Sequence, residues 1–269
     1  MTTATLDVTG AGLHYELRGH GPLVLLIGTP MDADSFAPLA DLLATEHTVL
    51  TTETRGIRRS CVDDPDADPS IETRADDLAR LITHVDRGPA AVLGSSGGAV
   101  TVLALAQNHP EAVRTVVAHE PPLTELLPDR AERHAGAEDM ISKWFAGDYE
   151  GSWRAFLANA NIHLPEEVFQ AVFGGEPDAQ TRADTDYQYG HLFRPSTHWR
   201  PDVARLREVA PQVVVGIGEA SAQQVCDRTS RALAARLETE PVLFPGGHIG
   251  FVDDPVAFAP HLRAVLDAG

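Results

Sequence analysis

A Gly-x-Ser-x-Gly pattern surrounds Ser96, with Gly94 and Gly98 on either side. A serine hydroxyl is a weak nucleophile, so it needs a base that takes its proton and donors that stabilise a developing oxyanion. The pattern follows a short apolar segment, residues 90–93, and precedes residues 99–108, whose spacing is helical. Such a strand-to-helix turn exposes a nucleophilic serine. The pattern therefore predicts Ser96 as a nucleophile.

The base is expected after the last strand of such a fold. His248 lies in the segment Pro-Gly-Gly-His-Ile-Gly, residues 245–250, directly after a predicted strand at 242–244. This placement, more than the residue type, predicts His248 as the general base. The chain has 12 histidines, and four others are expected at the surface or at the edge of the core: His20, His109, His134 and His261.

The acid that would orient His248 has two candidates. The loop after the predicted strand at 213–217 holds Glu219, but Ser221 stands where a Gly-x-x-Asp pattern would place aspartate. The other candidate, Glu120, follows the predicted strand at 113–118. The carboxyl end of that strand is adjacent to the nucleophile turn, so placement favours Glu120 and leaves Glu219 as the alternative.

Two backbone amides are candidates for an oxyanion hole. The N–H of Gly97 lies at the start of the helix after Ser96, where the helix dipole favours negative charge. The second donor should come from the loop after the apolar run at 23–27, where Thr29 is the candidate. Its neighbours Gly28 and Pro30 are expected to border the substrate.

Strands and helices alternate along most of the chain, with predicted strands at 13–18, 23–27, 48–52, 90–93, 113–118, 213–217 and 242–244. This alternation predicts an α/β fold with a mostly parallel sheet covered on both faces. Residues 121–200 break the alternation with helical spacing only. We therefore predict a core of residues 1–120 and 201–269 and a helical cap of residues 121–200. Trp153, Tyr187, Trp199 and, from the core, Ile249 are expected to contact substrate.

Composition excludes several classes of protein. The formal charge of −18 argues against nucleic acid and anionic membranes as partners. Two cysteines without paired spacing, Cys61 and Cys226, argue against a disulfide framework or zinc site. No metal or other cofactor is expected. The N-terminal segment lacks a basic and apolar leader, so a cytoplasmic location is expected. The sequence does not determine the oligomeric state, and a homodimer is compatible with it.

These residues together resemble the α/β-hydrolase superfamily, in which Gly28-Thr29-Pro30, the turn at Ser96 and Gly247-His248 occur in this order. The resemblance implies an eight-stranded, mostly parallel sheet with a helical cap after the sixth strand. His119-Glu120-Pro121-Pro122 and the loop without aspartate resemble the zearalenone lactonases more closely. That resemblance implies a Ser96–His248–Glu120 triad.

The leading hypothesis is hydrolysis of a carboxylic ester or lactone of a medium-sized apolar substrate, with zearalenone-type lactones as one candidate. The alternatives on the same fold are a cofactor-free carbon–carbon bond hydrolase, a biosynthetic cyclase and a non-catalytic ligand receptor. Fold alone does not separate them. A dehalogenase or epoxide hydrolase is not expected, because those enzymes need an aspartate at the position of Ser96.

Overall fold

One mixed sheet contains all nine strands within residues 1–209 and 212–267, the part of the chain that the computed structural model describes. The strands are β1 Thr2–Val8, β2 Ala11–Gly19, β3 Leu23–Thr29, β4 Thr48–Thr52, β5 Cys61–Val62, β6 Ala90–Ser96, β7 Val113–His119, β8 Gln212–Gly218 and β9 Val242–Phe244. Eight of them follow the order β1-β2-β4-β3-β6-β7-β8-β9, and β5 pairs with β2 outside this path. From β4 to β9 every neighbouring pair is parallel.

The predicted α/β fold with a mostly parallel sheet of eight strands is confirmed. Strand β7 is the sixth strand of the eight-stranded path, because β5 stands outside it. Two strands had no predicted counterpart, β1 and the two-residue β5. Strand β1 is at the sheet edge, and its residues alternate between exposed and half-buried, so it carries no continuous apolar run.

The same described residues contain twelve α-helices. They are α1 Ala37–Leu43, α2 Ile71–Val85, α3 Gly97–Asn108, α4 Arg130–Phe145, α5 Tyr149–Ala160, α6 Glu166–Phe173, α7 Ala179–Tyr187, α8 Phe193–His198, α9 Val203–Glu208, α10 Val225–Leu237, α11 Gly250–Asp253 and α12 Pro255–Leu266. A π-helical turn, Gln188–Leu192, joins α7 to α8. Within this part of the chain, no helix combines the length and the apolar character needed to cross a membrane.

Burial of the sheet on both faces explains its continuous apolar strands. Leu25 and Leu26 are consecutive in β3, yet they belong to two different core clusters and both are fully buried. Successive side chains of a strand point to opposite faces, so a strand covered on both sides needs apolar residues at every position. Strands β3, β6 and β7 contribute to both clusters, and their carboxyl ends carry the candidate site.

Residues 121–200 hold helices and turns but no strand. Four of their apolar side chains form a separate buried cluster, which consists of Met140, Ile141, Trp144 and Tyr189. Aromatic rings of α5 and α8 pack against that cluster. The segment therefore has an apolar core of its own, while its status as a separate cap domain stays a prediction.

Candidate active site

Ser96 is the last residue of β6 and directly precedes α3. Its backbone has φ +55° and ψ −125°, a strained conformation that non-glycine residues rarely adopt. A Cβ atom on Gly94 would lie 2.5 Å from the Gly98 carbonyl oxygen, and one on Gly98 would lie 2.7 Å from the carbonyl oxygen of Ile27. Both glycines are thus sterically required for a turn this tight, which presents Ser96 at the sheet edge.

Glu120 and His248 form a hydrogen-bonded pair. His248 Nδ1 donates to Glu120 Oε2 at 2.5 Å, because an ionised carboxylate can only accept. The second carboxylate oxygen, Oε1, accepts the backbone N–H of Gly218 at 2.8 Å, from the end of β8. Glu120 follows β7 directly, has φ +52° and is fully buried. Two elements of the sheet therefore fix the carboxylate against the imidazole.

The charge of Glu120 is stabilised in spite of its burial. Burial alone would raise the pKa of this carboxyl, but the hydrogen bond and positive charge of His248 lower the pKa to about 2. Glu120 is therefore ionised at neutral pH. An ionised Glu120 keeps the proton of His248 on Nδ1 and leaves Nε2 as the nitrogen that can accept a proton.

Glu219, the alternative acid, lies in a short 3-10 turn, Glu219–Ser221, and is exposed. Among the described residues the carboxylate hydrogen-bonded to His248 belongs to Glu120. Ser221 is fully buried, and its hydroxyl helps to lower the pKa of Glu120, although no hydrogen bond of good geometry joins the two side chains. The geometry therefore joins Glu120, and not Glu219, to His248.

Thr29 and Gly97 meet beside Ser96. Thr29 ends β3 and is paired with Ser96 across the parallel ladder. Gly97 begins α3, and a Cβ atom built on it would lie 3.0 Å from Cβ of Thr29. The Thr29 side chain is turned toward Thr54, and the two hydroxyl oxygens are 2.7 Å apart. Both residues proposed for the oxyanion hole thus lie next to the serine.

A cavity of about 290 Å³ connects these groups. Seven of the residues predicted for the site border it, namely Thr29, Pro30, Ser96, Gly97, Trp153, His248 and Ile249. No hydrogen bond joins Ser96 Oγ to His248 within the described residues, which is common before substrate binds. Most of the lining is apolar, as expected of a site for an apolar small molecule.

The family model for the alpha/beta hydrolase fold matches residues 21–255. The chain belongs to the α/β-hydrolase family. The resemblance inferred from the motifs is thereby confirmed, and the protein is a hydrolase of this fold.

Three relatives show how far the similarity extends. An uncharacterized hydrolase of Bacillus subtilis, YraK, is 32% identical over 269 residues, which cover 99% of this chain and 97% of the relative. A 2-(acetamidomethylene)succinate hydrolase of Mesorhizobium japonicum is 28% identical, over 90% of this chain and 86% of the relative. A zearalenone hydrolase of Cladophialophora bantiana is 28% identical, over 97% and 95% respectively. The substrates named for the second and third relatives differ, so similarity alone does not determine the substrate of this hydrolase.

Three residues expected to contact substrate in this hydrolase do not border the cavity. Trp199 Nε1 donates to Glu72 at 3.0 Å and its ring packs on the sheet core. The Tyr187 ring covers Gly56, where a Cβ atom would lie 2.0 Å from the ring. A Cβ atom built on Gly28 would lie 2.9 Å from the side chain of Met31, and it is Met31 that borders the cavity. Contrary to expectation, these three residues lie outside the cavity lining, because aromatic type and chain proximity do not reveal side-chain direction.

One helical face contributes cavity residues that were not predicted. It runs through the π-helical turn and α8, and it supplies Gln188, Tyr189, Leu192, Phe193, Ser196 and Thr197. The spacing of these positions is a helical stripe, which in sequence is indistinguishable from a stripe that packs on the core. Only the placement of the helix shows that the stripe borders the site.

His134 and Cys226 also border the cavity. The His134 side chain is 22% exposed, a core-edge position as expected, but the sequence did not reveal that it borders the cavity. Ligand atoms of Cys226, Glu120 and His248 lie within 4.8 Å of one another, which is the kind of donor set that a zinc ion takes. Burial and the charge of Glu120 raise the pKa of the Cys226 thiol, which keeps it protonated, and Glu120 already binds His248.

His119 lies behind the site and is fully buried. Three phenylalanine rings surround its imidazole edge-on, those of Phe244, Phe251 and Phe258. This burial, with the charge of His248, lowers the pKa of His119 to about 4, although the charge of Glu120 opposes the shift. His119 is therefore neutral at physiological pH and packs as an aromatic residue beneath the pair formed by Glu120 and His248.

Proposed function

We propose that this α/β-hydrolase cleaves a carboxylic ester or lactone through an acyl-enzyme on Ser96. The observation that carries the proposal is the hydrogen bond of 2.5 Å between His248 Nδ1 and buried Glu120, in the cavity that Ser96 borders. A buried, ionised acid that orients an imidazole beside a strained serine is the arrangement that activates a hydroxyl nucleophile. Glu120 takes the role of the acid, and Glu219 is left without one.

The reaction follows from the positions of these groups. Ser96 Oγ attacks the carbonyl carbon while His248 Nε2 takes the hydroxyl proton. The backbone N–H groups of Gly97 and Thr29 stabilise the resulting oxyanion. His248 then returns the proton to the leaving alkoxide, and water releases the acid by the same steps in reverse order. No metal or other cofactor takes part in this scheme.

The cavity supports an apolar substrate of medium size. We infer that residues 121–200 act as a cap over the site, since Trp153, Phe156 and the stripe through the π-helical turn line the cavity. Pro30 and Ile249 border it from the core. The likeness to the zearalenone hydrolase makes a macrocyclic lactone the first candidate to assay.

Ser96→Ala tests the proposal. We expect kcat toward 4-nitrophenyl esters to be at least about a thousandfold lower in the variant than in the wild type, because the variant lacks the nucleophile. The measurement is steady-state hydrolysis by purified wild type and variant, with circular dichroism to confirm that both are folded. Trapping of the acyl group on Ser96 by mass spectrometry would support the covalent intermediate directly.

The same pair of proteins should be screened with esters, lactones and β-diketones. Turnover of an ester or lactone that is lost in Ser96→Ala supports the proposed reaction. Turnover of the diketone alone would indicate carbon–carbon bond hydrolysis. Undiminished ester hydrolysis by the pure variant would overturn the role of Ser96.

A further inference from the structure

Most polar side chains that border the cavity are already engaged by the protein. Arg133 donates to the carbonyl oxygen of Asn159 at 2.8 Å and pairs with Asp129. The Ser196 hydroxyl donates to the carbonyl oxygen of Leu192 at 2.8 Å. Groups satisfied in this way offer little hydrogen-bonding capacity to a ligand. His134 differs from these groups, because one of its two ring nitrogens has no hydrogen-bond partner among the described residues.

The hydrogen bonds around Thr124 fix the proton of His134. Thr124 Oγ1 donates to the carbonyl oxygen of Thr197 at 2.7 Å, because a carbonyl can only accept. The single hydroxyl proton is then used, so His134 Nε2, at 3.0 Å from the same oxygen, must be the donor. Glu125 Oε1 lies 3.4 Å from this nitrogen and favours the same protonation. In a neutral imidazole the lone pair is therefore on Nδ1.

Nδ1 of His134 makes no hydrogen bond with any residue between 1 and 209 or 212 and 267. The ring borders the cavity and lies against the ring of His198, with centroids 3.9 Å apart. Burial and the neighbouring His198 lower the pKa of His134, although the charges of Glu125 and Glu138 oppose the shift. A neutral His134 thus brings to the lining of this largely apolar cavity an acceptor that no described residue fills.

We propose that His134 is a specificity residue that accepts a hydrogen bond from a hydroxyl group of the substrate. This inference rests on the proposed function and narrows it to esters or lactones that carry a free hydroxyl in addition to the scissile bond. A ligand that places an apolar group against Nδ1 leaves the acceptor without a partner and binds less well. A hydroxyl satisfies it, whereas an ether oxygen, which cannot donate, does not.

Gln188 supplies the matched control. It borders the same cavity and lies on the helical stripe, but its amide carries both donors and an acceptor and can rotate to suit either kind of ligand. Replacement of Gln188 changes the shape and polarity of the cavity without removing an acceptor of fixed direction. Gln188→Met should therefore alter activity toward hydroxylated and plain substrates by similar factors.

The test uses 4-nitrophenyl ω-hydroxyalkanoates of increasing chain length, each paired with the ω-methoxy and plain alkanoate esters. In the wild-type enzyme, kcat/KM should favour the hydroxyl ester at one chain length by about five- to tenfold over both partners, as one neutral hydrogen bond allows. In His134→Phe, which keeps an aromatic ring against His198, that ratio should fall to about one. In Gln188→Met the ratio should persist.

The outcomes separate this inference from the proposed function. Equal rates for hydroxyl and methoxy esters at every chain length in the wild type would overturn the role of His134, even if His134→Phe fails to fold. A preference that survives His134→Phe but disappears in Gln188→Met would transfer the role to Gln188. If Ser96→Ala loses all turnover, the proposed function stands whatever the result for His134. If Ser96→Ala retains turnover, the proposed function is refuted independently of His134.

Discussion

The ends of β7 and β8 are neighbours at the sheet edge, and each leads into a loop with a glutamate. After β7 the side chain of Glu120 is fully buried, and after β8 the side chain of Glu219 is exposed. The end of β8 contributes instead the Gly218 N–H, which binds Glu120 at 2.8 Å. The difference teaches that burial and direction, more than the presence of a carboxylate in a given loop, determine which acid reaches His248.

The largest expected effect on activity comes from removing the charge of Glu120. Glu120→Gln should lower kcat by about a thousandfold or more, because the neutral amide no longer stabilises the imidazolium or holds its tautomer. Glu219→Gln, the matched change in the neighbouring loop, should leave kcat within about twofold, as for an exposed charge. Steady-state ester hydrolysis by both variants checks the comparison. The reverse ranking would assign the acid to Glu219.

The acid sensitivity of folding should separate the two residues at the end of β7. Glu120 has a lower pKa in the folded protein, about 2, than the usual 4.5 of a glutamate side chain. Its contribution to stability is full above about pH 4.5 and is lost as the pH falls toward 2. The pKa of His119 is also lowered in the folded protein, from 6.5 to about 4. On acidification the unfolded chain therefore protonates this histidine before the folded protein does, and stability falls as the pH drops from 6.5 to about 4.

Acidification through each of these two pH ranges should lower the free energy of unfolding by about 3 kcal/mol. Urea denaturation at a series of pH values from ~7 to ~2 measures the free energy of unfolding of wild type, His119→Asn and Glu120→Gln. This pH range includes both titrations. His119→Asn should reduce the loss of stability in the higher pH range, where His119 titrates. Glu120→Gln should reduce it in the lower range, where Glu120 titrates. Curves parallel to that of the wild type would contradict the assignments.

The smallest expected effect comes from removing the carboxylate that follows β7 and introducing one in the loop that follows β8. Ser221 is fully buried beside Glu120, so an aspartate at that position should reach His248 when Glu120 is shortened. Ser221→Asp added to Glu120→Ala should raise kcat about tenfold above that of Glu120→Ala alone. The control is Ala222→Asp in the same background, since Ala222 is exposed in the same loop. Equal rates for both double variants would show that the end of β8 cannot supply the acid.

The fold was predictable because its signals are local and periodic. Continuous apolar runs such as that of β3 arise where a strand is covered on both faces, and the glycines at 94 and 98 are required by the backbone of the turn. Strand β1 was not predicted, since an exposed edge strand needs no apolar pattern.

The sequence by itself determined the sheet, the turn at Ser96 and the position of His248, because chain order and backbone sterics suffice for these. Only the tertiary structure decided between Glu120 and Glu219, excluded Tyr187 and Trp199 from the cavity, and brought His134 to its wall. The physical reason is that a helical stripe has the same spacing whether it faces a core or a cavity. The direction of a side chain depends on contacts between segments distant in the chain, such as the hydrogen bond from Gly218 to Glu120.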